Sequence, residues 1–301
     1  MAAQLRAVRR RIRSVQATAK ITRAQELIAS SRIIRAQQRF RDAEPYAREL
    51  TRAVTAVVSR SAQVNHPLTT PPATPSRAAV LILTSDRGFC GGYNAAVMRE
   101  EQGLNAMLAD RGLDAQLFVS GRKGITWHNF REIPIAAQWS GFSDTPAHAN
   151  AADITRVLLD SFTATGPEGV DEIYIVFNEF VSMLTQRPAV RRLLPLEIEE
   201  TTEQPAGGPL PAYEFEPSAE QVLDALLPWY IESRVFHALL NAAAAEIAAR
   251  RAAMKAATDN AHELIDSLTL EANKARQAEI TQEISEIVGG ANALTEATSR
   301  R

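Results

Sequence analysis

Cysteine occurs once in 301 residues, at Cys90, so an intramolecular disulfide is impossible and a zinc centre built on several cysteines has no ligands. Aromatic residues supply only 6% of the chain, and lysine occurs four times against 29 arginines. No apolar run approaches the roughly 20 residues of a membrane-spanning helix. The arginine-rich, acid-poor N-terminus has no apolar stretch of the secretory kind. The five histidines, His66, His128, His148, His237 and His262, are scattered and form no H-x-x-x-H pair, which leaves a catalytic metal unsupported. What remains is globular in character: 46% apolar, 23% charged and 51 alanines, a composition that excludes wholesale disorder and favours close helix packing over a bulky aromatic core. The net charge of −2 conceals a split. Residues 1–60 carry 14 Lys+Arg against four Asp+Glu, a balance of +10, and the remainder carries −12.

An alternating three–four spacing runs through Leu5, Val8, Ile12, Val15, Ala19, Thr22, Glu26, Ala29, Ile33, Ala36, Phe40, Ala43, Ala47, Leu50, Val54 and Val57. This is the seam of a coiled coil, with a period near 3.5 that keeps one narrow stripe on a partner helix. A helix over 2–58 extends ~85 Å, and Pro45 predicts a bend in it. At the other end a helix is expected from Ser218, where Ser218 and Gln221 form a capping box, through a kink or restart at Pro228, to Leu294. Ala257, Ala261, Leu264, Leu268, Ala272 and Ala275 keep one phase there, and Ile280, Ile284, Ile287, Ala291 and Leu294 resume in another. The slip near Arg276 predicts that the last turns leave the partner helix.

Between the helices, proline-rich residues 63–76 read as a linker. Strands are expected at 78–83, 116–120 and 172–177, with two more at Glu179–Leu184 and Val190–Leu196. Helices are expected at 95–108, near Ile125 and at 153–162. This alternation predicts a Rossmann-like, mainly parallel α/β domain inserted between two long N- and C-terminal helices that form an antiparallel coiled coil. The expected division is 1–60 for the N-terminal helix, 77–198 for the α/β domain, 199–217 for a linker and 218–295 for the C-terminal helix.

The turn Thr84–Asn94 follows a strand and opens a helix, a place where phosphates often bind. It matches neither G-x-G-x-x-G nor G-x-x-x-x-G-K-[ST], and no acid follows the second strand to hold a ribose. Asp86, Arg87, Gly88, Cys90, Gly91 and Gly92 therefore read as a tight structural turn, with Cys90 a buried thiol rather than a nucleophile. Arg6, Arg9, Arg10, Arg11 and Arg13 could grip nucleic-acid phosphates, but no aromatic residue precedes Phe40 to stack bases. The residues alone favour a mechanical or scaffolding protein without a cofactor. The competing class is a stand-alone α/β nucleotide-binding enzyme with helical arms.

At three places the chain resembles the gamma subunit of the rotary F-type ATP synthases. Ile12–Ser31 (IRSVQATAKITRAQELIASS) is similar to that family's N-terminal helix, and Thr84–Asn94 (TSDRGFCGGYN) to its hallmark loop. Met254–Ala261 (MKAATDNA) and Asn273–Ala293 (NKARQAEITQEISEIVGGANA) resemble its C-terminal signature. The resemblance implies a non-catalytic central-stalk rotor that transmits torque between a proton-driven c-ring and an alpha/beta catalytic hexamer. The implied partners are the alpha, beta and epsilon subunits and the c-ring, with no nucleic acid and no membrane insertion. The implied location is the cytoplasmic side of a bacterial cell membrane, since K-I-T begins at residue 20 with no room for a transit peptide before it. Carried over residue by residue, Arg276, Gln277, Thr281 and Glu283 face the catalytic head, as do Lys20, Ile21 and Gln25 on the opposing helix. Gln25 stands where many members have Met. Tyr213, Phe215 and Glu216 resemble a Y-x-Y-E stretch at the c-ring, with Phe in place of the second Tyr. The Gly166–Gly169 segment is a candidate regulatory loop, and a single cysteine precludes the thiol switch of the chloroplast version. The basic N-terminal face is expected to meet acidic stator surface.

Overall fold

The computed structural model describes residues 2–60, 74–164, 166, 169–196, 216 and 219–299. Ten elements follow in order: α1 (Ala2–Arg60), β1 (Arg77–Leu83), α2 (Tyr93–Asp110), β2 (Asp114–Ser120), α3 (Arg122–Phe130), β3 (Ala137–Trp139), α4 (His148–Thr163), β4 (Glu172–Phe180), β5 (Gln186–Leu194) and α5 (Ala219–Ser299). They divide into two compact units, Met1–Ile28 with Ala253–Arg301, and Ala29–Ala252.

In the first unit, the early part of α1 lies against α5. Leu5, Val8, Ala19, Thr22 and Glu26 are buried, and Ile12 and Val15 half-buried, as the seam requires. Thr22 Oγ1 and Thr258 Oγ1 lie 2.8 Å apart across it. That register sets residue i of α1 opposite a residue near 280 − i of α5. Among the described residues, α1 starts at Ala2 and none of it lies opposite α5 beyond about 278, where Ile280, Ile284, Ile287 and Val288 are exposed. The phase slip near Arg276 falls close to the level of the first described residues of α1. One seam position is corrected: Leu264 is 38% exposed, and its neighbour Ile265 turns inward instead. A step of four from Ala261 keeps the stripe on α1, whereas the expected step of three leaves it.

The second unit holds the sheet, ordered β3-β2-β1-β4-β5. Strands β1–β2, β1–β4 and β2–β3 pair in parallel, and β4–β5 antiparallel. β1 reads as an unbroken apolar run because both its faces are covered. Ala78, Val80 and Ile82 meet Val97, Leu104 and Leu108 of α2. Ala79, Leu81 and Leu83 meet Ile154 and Leu158 of α4, Leu223, Leu227 and Ile231 of α5, and Val54 and Val57 of α1. The strand expected at Glu179–Leu184 is not one. β4 runs on to Phe180, residues 181–185 make a hairpin turn in which Val181 N–H and Ser182 N–H donate to the Thr185 carbonyl, and β5 starts at Gln186. The apolar Val181 and Leu184 that suggested a strand are exposed on that turn.

Pro45 and Pro228 both lie inside helices that run through them as single elements. Pro228 is thus not a restart: Leu227 and Ile231 on either side are fully buried, and that packing offsets the lost backbone bond. Ser218 of the expected capping box lies outside the described residues.

Candidate functional site

In α5, every residue from Ala238 to Ala248 is buried, although helices of this kind normally keep one solvated face. Within the second unit the helix is enclosed from several sides. Ala238, Leu239 and Ala242 face the sheet core, and Ala244, Ile247 and Ala248 meet Ala29, Ile33 and Ala36 of α1. Ala245 meets Cys90 of the loop after β1 and Tyr93 at the start of α2. Alanine makes such enclosure feasible, because its small side chain lets neighbours approach the helix axis closely.

The polar contacts turn this packing into a clamp. Tyr93 Oη donates to the Ala242 carbonyl at 3.1 Å, and burial holds the phenol well above the ordinary tyrosine range, so it keeps its proton. Phe180 N–H donates to Asn241 Oδ1 at 2.6 Å, and Asn178 Nδ2 donates to the Tyr93 carbonyl at 2.9 Å. Arg250 Nη2 donates to Glu246 Oε1 at 2.7 Å and to the carbonyls of Arg87 and Gly88 at 3.2 and 3.4 Å. Glu246 is 1% exposed; burial raises its carboxyl above the ordinary range while the Arg250 guanidinium pulls it down.

The loop itself is braced by its own short polar side chains. Asp86 accepts bonds from the backbone N–H groups of Arg122, Gly141 and Ser143, tying the ends of β1, β2 and β3 together. Ser85 N–H donates to Asn94 Oδ1, and Asn94 Nδ2 returns a bond to Ser85 Oγ. Gly91 adopts φ +57°, a left-handed turn that suits glycine. Phe89 adopts φ +60° and is exposed. Cys90 is a free, buried thiol, pushed up by desolvation.

β1 lies between β2 and β4, so the loop sits at the switch point where open α/β sheets bind ligands beyond their strand ends. Beside the loop, Cys90, Tyr93 and Ala245 pack together, and Arg250 donates to the Arg87 and Gly88 carbonyls. Among the described residues no group of three or more His, Cys, Asp or Glu is placed to hold a metal ion.

The expected interface residues fall elsewhere. Arg276, Gln277, Thr281 and Glu283 are exposed on α5, Lys20 and Ile21 are exposed on α1, and Gln25 is half-buried. The Thr22–Thr258 register puts Lys20 opposite a residue near 260, so Lys20 and Arg276 stand about 16 residues, or ~24 Å, apart along the helix pair. They form two levels on one helix pair and are not brought together. Glu216 is exposed; Tyr213 and Phe215 lie outside the described residues, as do residues 167 and 168 of the Gly166–Gly169 segment. The sequence reading missed Asn178, Asn241, Glu246 and Arg250. The available signal was the Glu246–Arg250 pair at i, i+4, with Glu246 inside the alanine-rich run 242–249 and Arg250 just after it.

A family model described as ATP synthase matches residues 4–294. The ATP synthase gamma chain of Acidothermus cellulolyticus is 59% identical over 295 residues, covering 98% of each chain. That of Kineococcus radiotolerans is 56% identical over 302 residues, covering 100% of each. Among solved structures, a chain of the Euglena gracilis mitochondrial ATP synthase rotor aligns with TM-score 0.64 at 15% identity, covering 93% of this chain and 100% of that one. A chain of the central stalk/c-ring of the Tetrahymena thermophila mitochondrial ATP synthase aligns with TM-score 0.59 at 23% identity, covering 79% and 99%. The residues quoted from both helices and from the loop after β1 thus lie within a match that spans nearly the whole chain, and the chain belongs to the gamma-chain family of the ATP synthases.

Proposed function

We propose that this chain is the central-stalk rotor subunit of a bacterial F-type ATP synthase, carrying torque between a proton-driven c-ring and an alpha/beta catalytic hexamer and performing no chemistry itself. The observation that carries the reading is the end of α5. Its turns from Ile280 onward run past the start of α1 with isoleucines exposed, an arrangement suited to insertion into a surrounding partner. Arg276, Gln277, Thr281 and Glu283 at and just before those turns, and Lys20, Ile21 and Gln25 on α1, are the residues proposed to meet the catalytic head. Exposed guanidinium and amide groups there can bond carboxylates or carbonyls of the stator. Tyr213, Phe215 and Glu216 are proposed to face the c-ring, beside an epsilon subunit.

A rotor must also resist slipping of its helix inside its own α/β domain. The clamp from Tyr93, Asn178, Asn241 and Arg250 onto the buried run 238–248 suits that duty. Among the described residues no helix is long and apolar enough to cross a membrane. Peripheral attachment on the cytoplasmic face of the membrane, through the c-ring, is the location proposed. Co-purification tests the assignment: alpha, beta and epsilon chains should follow this chain through an affinity step and sediment with it as one complex. A stable chain that hydrolyses nucleotide alone would overturn it in favour of the enzyme reading.

A further inference from the structure

Within the second unit, a cavity of about 330 Å³ opens between α1, α5 and the loops after β1 and β3. Four arginines line it: Arg32, Arg35 and Arg39 from one face of α1 at i, i+3 and i+7, and Arg87 from the loop after β1. One carboxylate answers them. Asp144 Oδ2 lies 2.7 Å from Arg32 Nη1 and 3.8 Å from Arg87 Nη1, with the Asp144 side chain 16% exposed. Arg35 and Arg39 form no ion pair among the described residues, so the cavity holds four positive charges against one negative. Leu240 and Ile247 of α5 close its floor with apolar surface.

We infer that this cavity is a binding site for a polyvalent phosphate-class oxyanion. Like charges stacked along one helix face repel each other, and an excess of three positive charges over an apolar floor is relieved best by a ligand of two or more negative charges. Guanidinium forks match phosphoryl oxygens two at a time, which favours phosphate groups over spherical anions such as chloride. The volume is at the small end of ligand sites and suits a compact ion. The fixed Asp144–Arg32 pair positions one guanidinium in advance, leaving Arg35, Arg39 and Arg87 to close over the anion. Nothing in the rotor reading requires this pocket, and the two stand or fall separately.

Isothermal titration of the full-length chain with inorganic pyrophosphate, and separately with orthophosphate, tests the site. The expected result is saturable one-to-one binding of pyrophosphate, about tenfold or more tighter than orthophosphate, weakening as chloride rises from about 50 to 200 mM. The double variant R35Q/R39Q should weaken pyrophosphate by about tenfold or more, while R48Q, an arginine on the same helix outside the cavity, should leave it unchanged. Thermal melts of each variant report whether folding is intact, and D144N, which frees Arg32, should tighten binding and so keep the site testable if R35Q/R39Q fails to fold. Absence of binding at low salt, or equal losses in R35Q/R39Q and R48Q, would overturn the proposal. So would a glutamate-rich peptide that binds more tightly than pyrophosphate and depends on the same arginines, because it would give the cavity to an acidic chain instead.

Discussion

Thr22 and Thr258 place their hydroxyl oxygens 2.8 Å apart, both buried, in the seam between α1 and α5. Each also has a carbonyl of its own helix in reach, Ala19 for Thr22 and Met254 for Thr258. Removing one hydroxyl therefore leaves the other a partner, and T22V or T258V should each cost about 0.5–1 kcal/mol, at the low end for a buried hydrogen bond. The double variant T22V/T258V should cost less than the two single losses added together, because neither hydroxyl is left across from an apolar group. Urea unfolding followed by helical circular dichroism reads all three; strict additivity would show that the pair does not couple the helices.

Arg250 compensates a buried charge, and pH exposes the dependence. Desolvation raises the Glu246 carboxyl above its ordinary value of 4.5, with Arg250 opposing that rise. A carboxyl raised on folding binds more protons in the folded state, so its contribution favours folding at low pH and is lost as pH climbs from 4.5 through the folded value. R250M removes the opposing cation and raises the carboxyl further. The variant should lose about 3 kcal/mol at pH 7, in the range found when one partner of a buried ion pair is deleted. The deficit should shrink as pH approaches 4.5, and E246Q/R250M should recover much of it. A pH-independent deficit would mean that lost packing, not lost charge, is responsible.

The seam around Thr22 and the enclosed stretch around Glu246 differ in how far the sequence revealed them. The seam of α1 was legible because a partner covers one narrow stripe: all sixteen spaced positions from Leu5 to Val57 are buried or half-buried. Ala238–Ala248 was not, because a helix covered on every side has no period to find, and only the misplaced charges Glu246 and Arg250 marked it. β3 escaped for a related reason. Three residues, Ala137–Trp139, are too short to show alternation, and parallel pairing with β2 alone defines them as a strand. The loop at 84–94 was legible as a turn, but its grip on α5 depends on residues some 150 positions away.

Gly121 adopts φ +102°, and a Cβ there would lie 2.1 Å from the Thr84 carbonyl oxygen. That neighbour is backbone in the central strand end and cannot swing aside. G121A should cost at least about 2 kcal/mol, combining left-handed strain with a steric shift of β1 against β2. Thermal unfolding should show it as a marked fall in midpoint. G141A, at φ +100° but with nothing within 4 Å, isolates the strain and should cost less.

Cys90 should behave as a reporter of opening at the clamp. It is 2% exposed, and desolvation raises its thiol above the ordinary 9.0. In the folded chain alkylation should run at least about 100-fold slower than in the urea-unfolded chain, since the thiolate forms only after local opening. The sign of linkage is again that of an acid raised on folding: its contribution is intact below pH 9.0 and is lost above it. R250M and Y93F, which loosen the clamp, should both speed the reaction at constant pH. Equal rates in wild type and variants would separate Cys90 from the clamp.

The exposed turns of α5 give the rotor proposal its sharpest kinetic test. Ile284 and Ile287 are exposed past the level of Ala2, and Ile287 is 72% so. A shaft that turns inside a stator must not be captured at one angle, and large aromatic side chains are the residues that most often anchor protein interfaces. Replacing Ile284 and Ile287 by Trp should leave the fold unchanged, because neither side chain packs on α1. In the purified complex the same change should slow ATP hydrolysis about tenfold, the effect of ~1.4 kcal/mol added to the limiting barrier. Unaltered turnover at full assembly would show that these turns do not sweep past a close-fitting surface, and would remove the observation on which the rotor reading leans most.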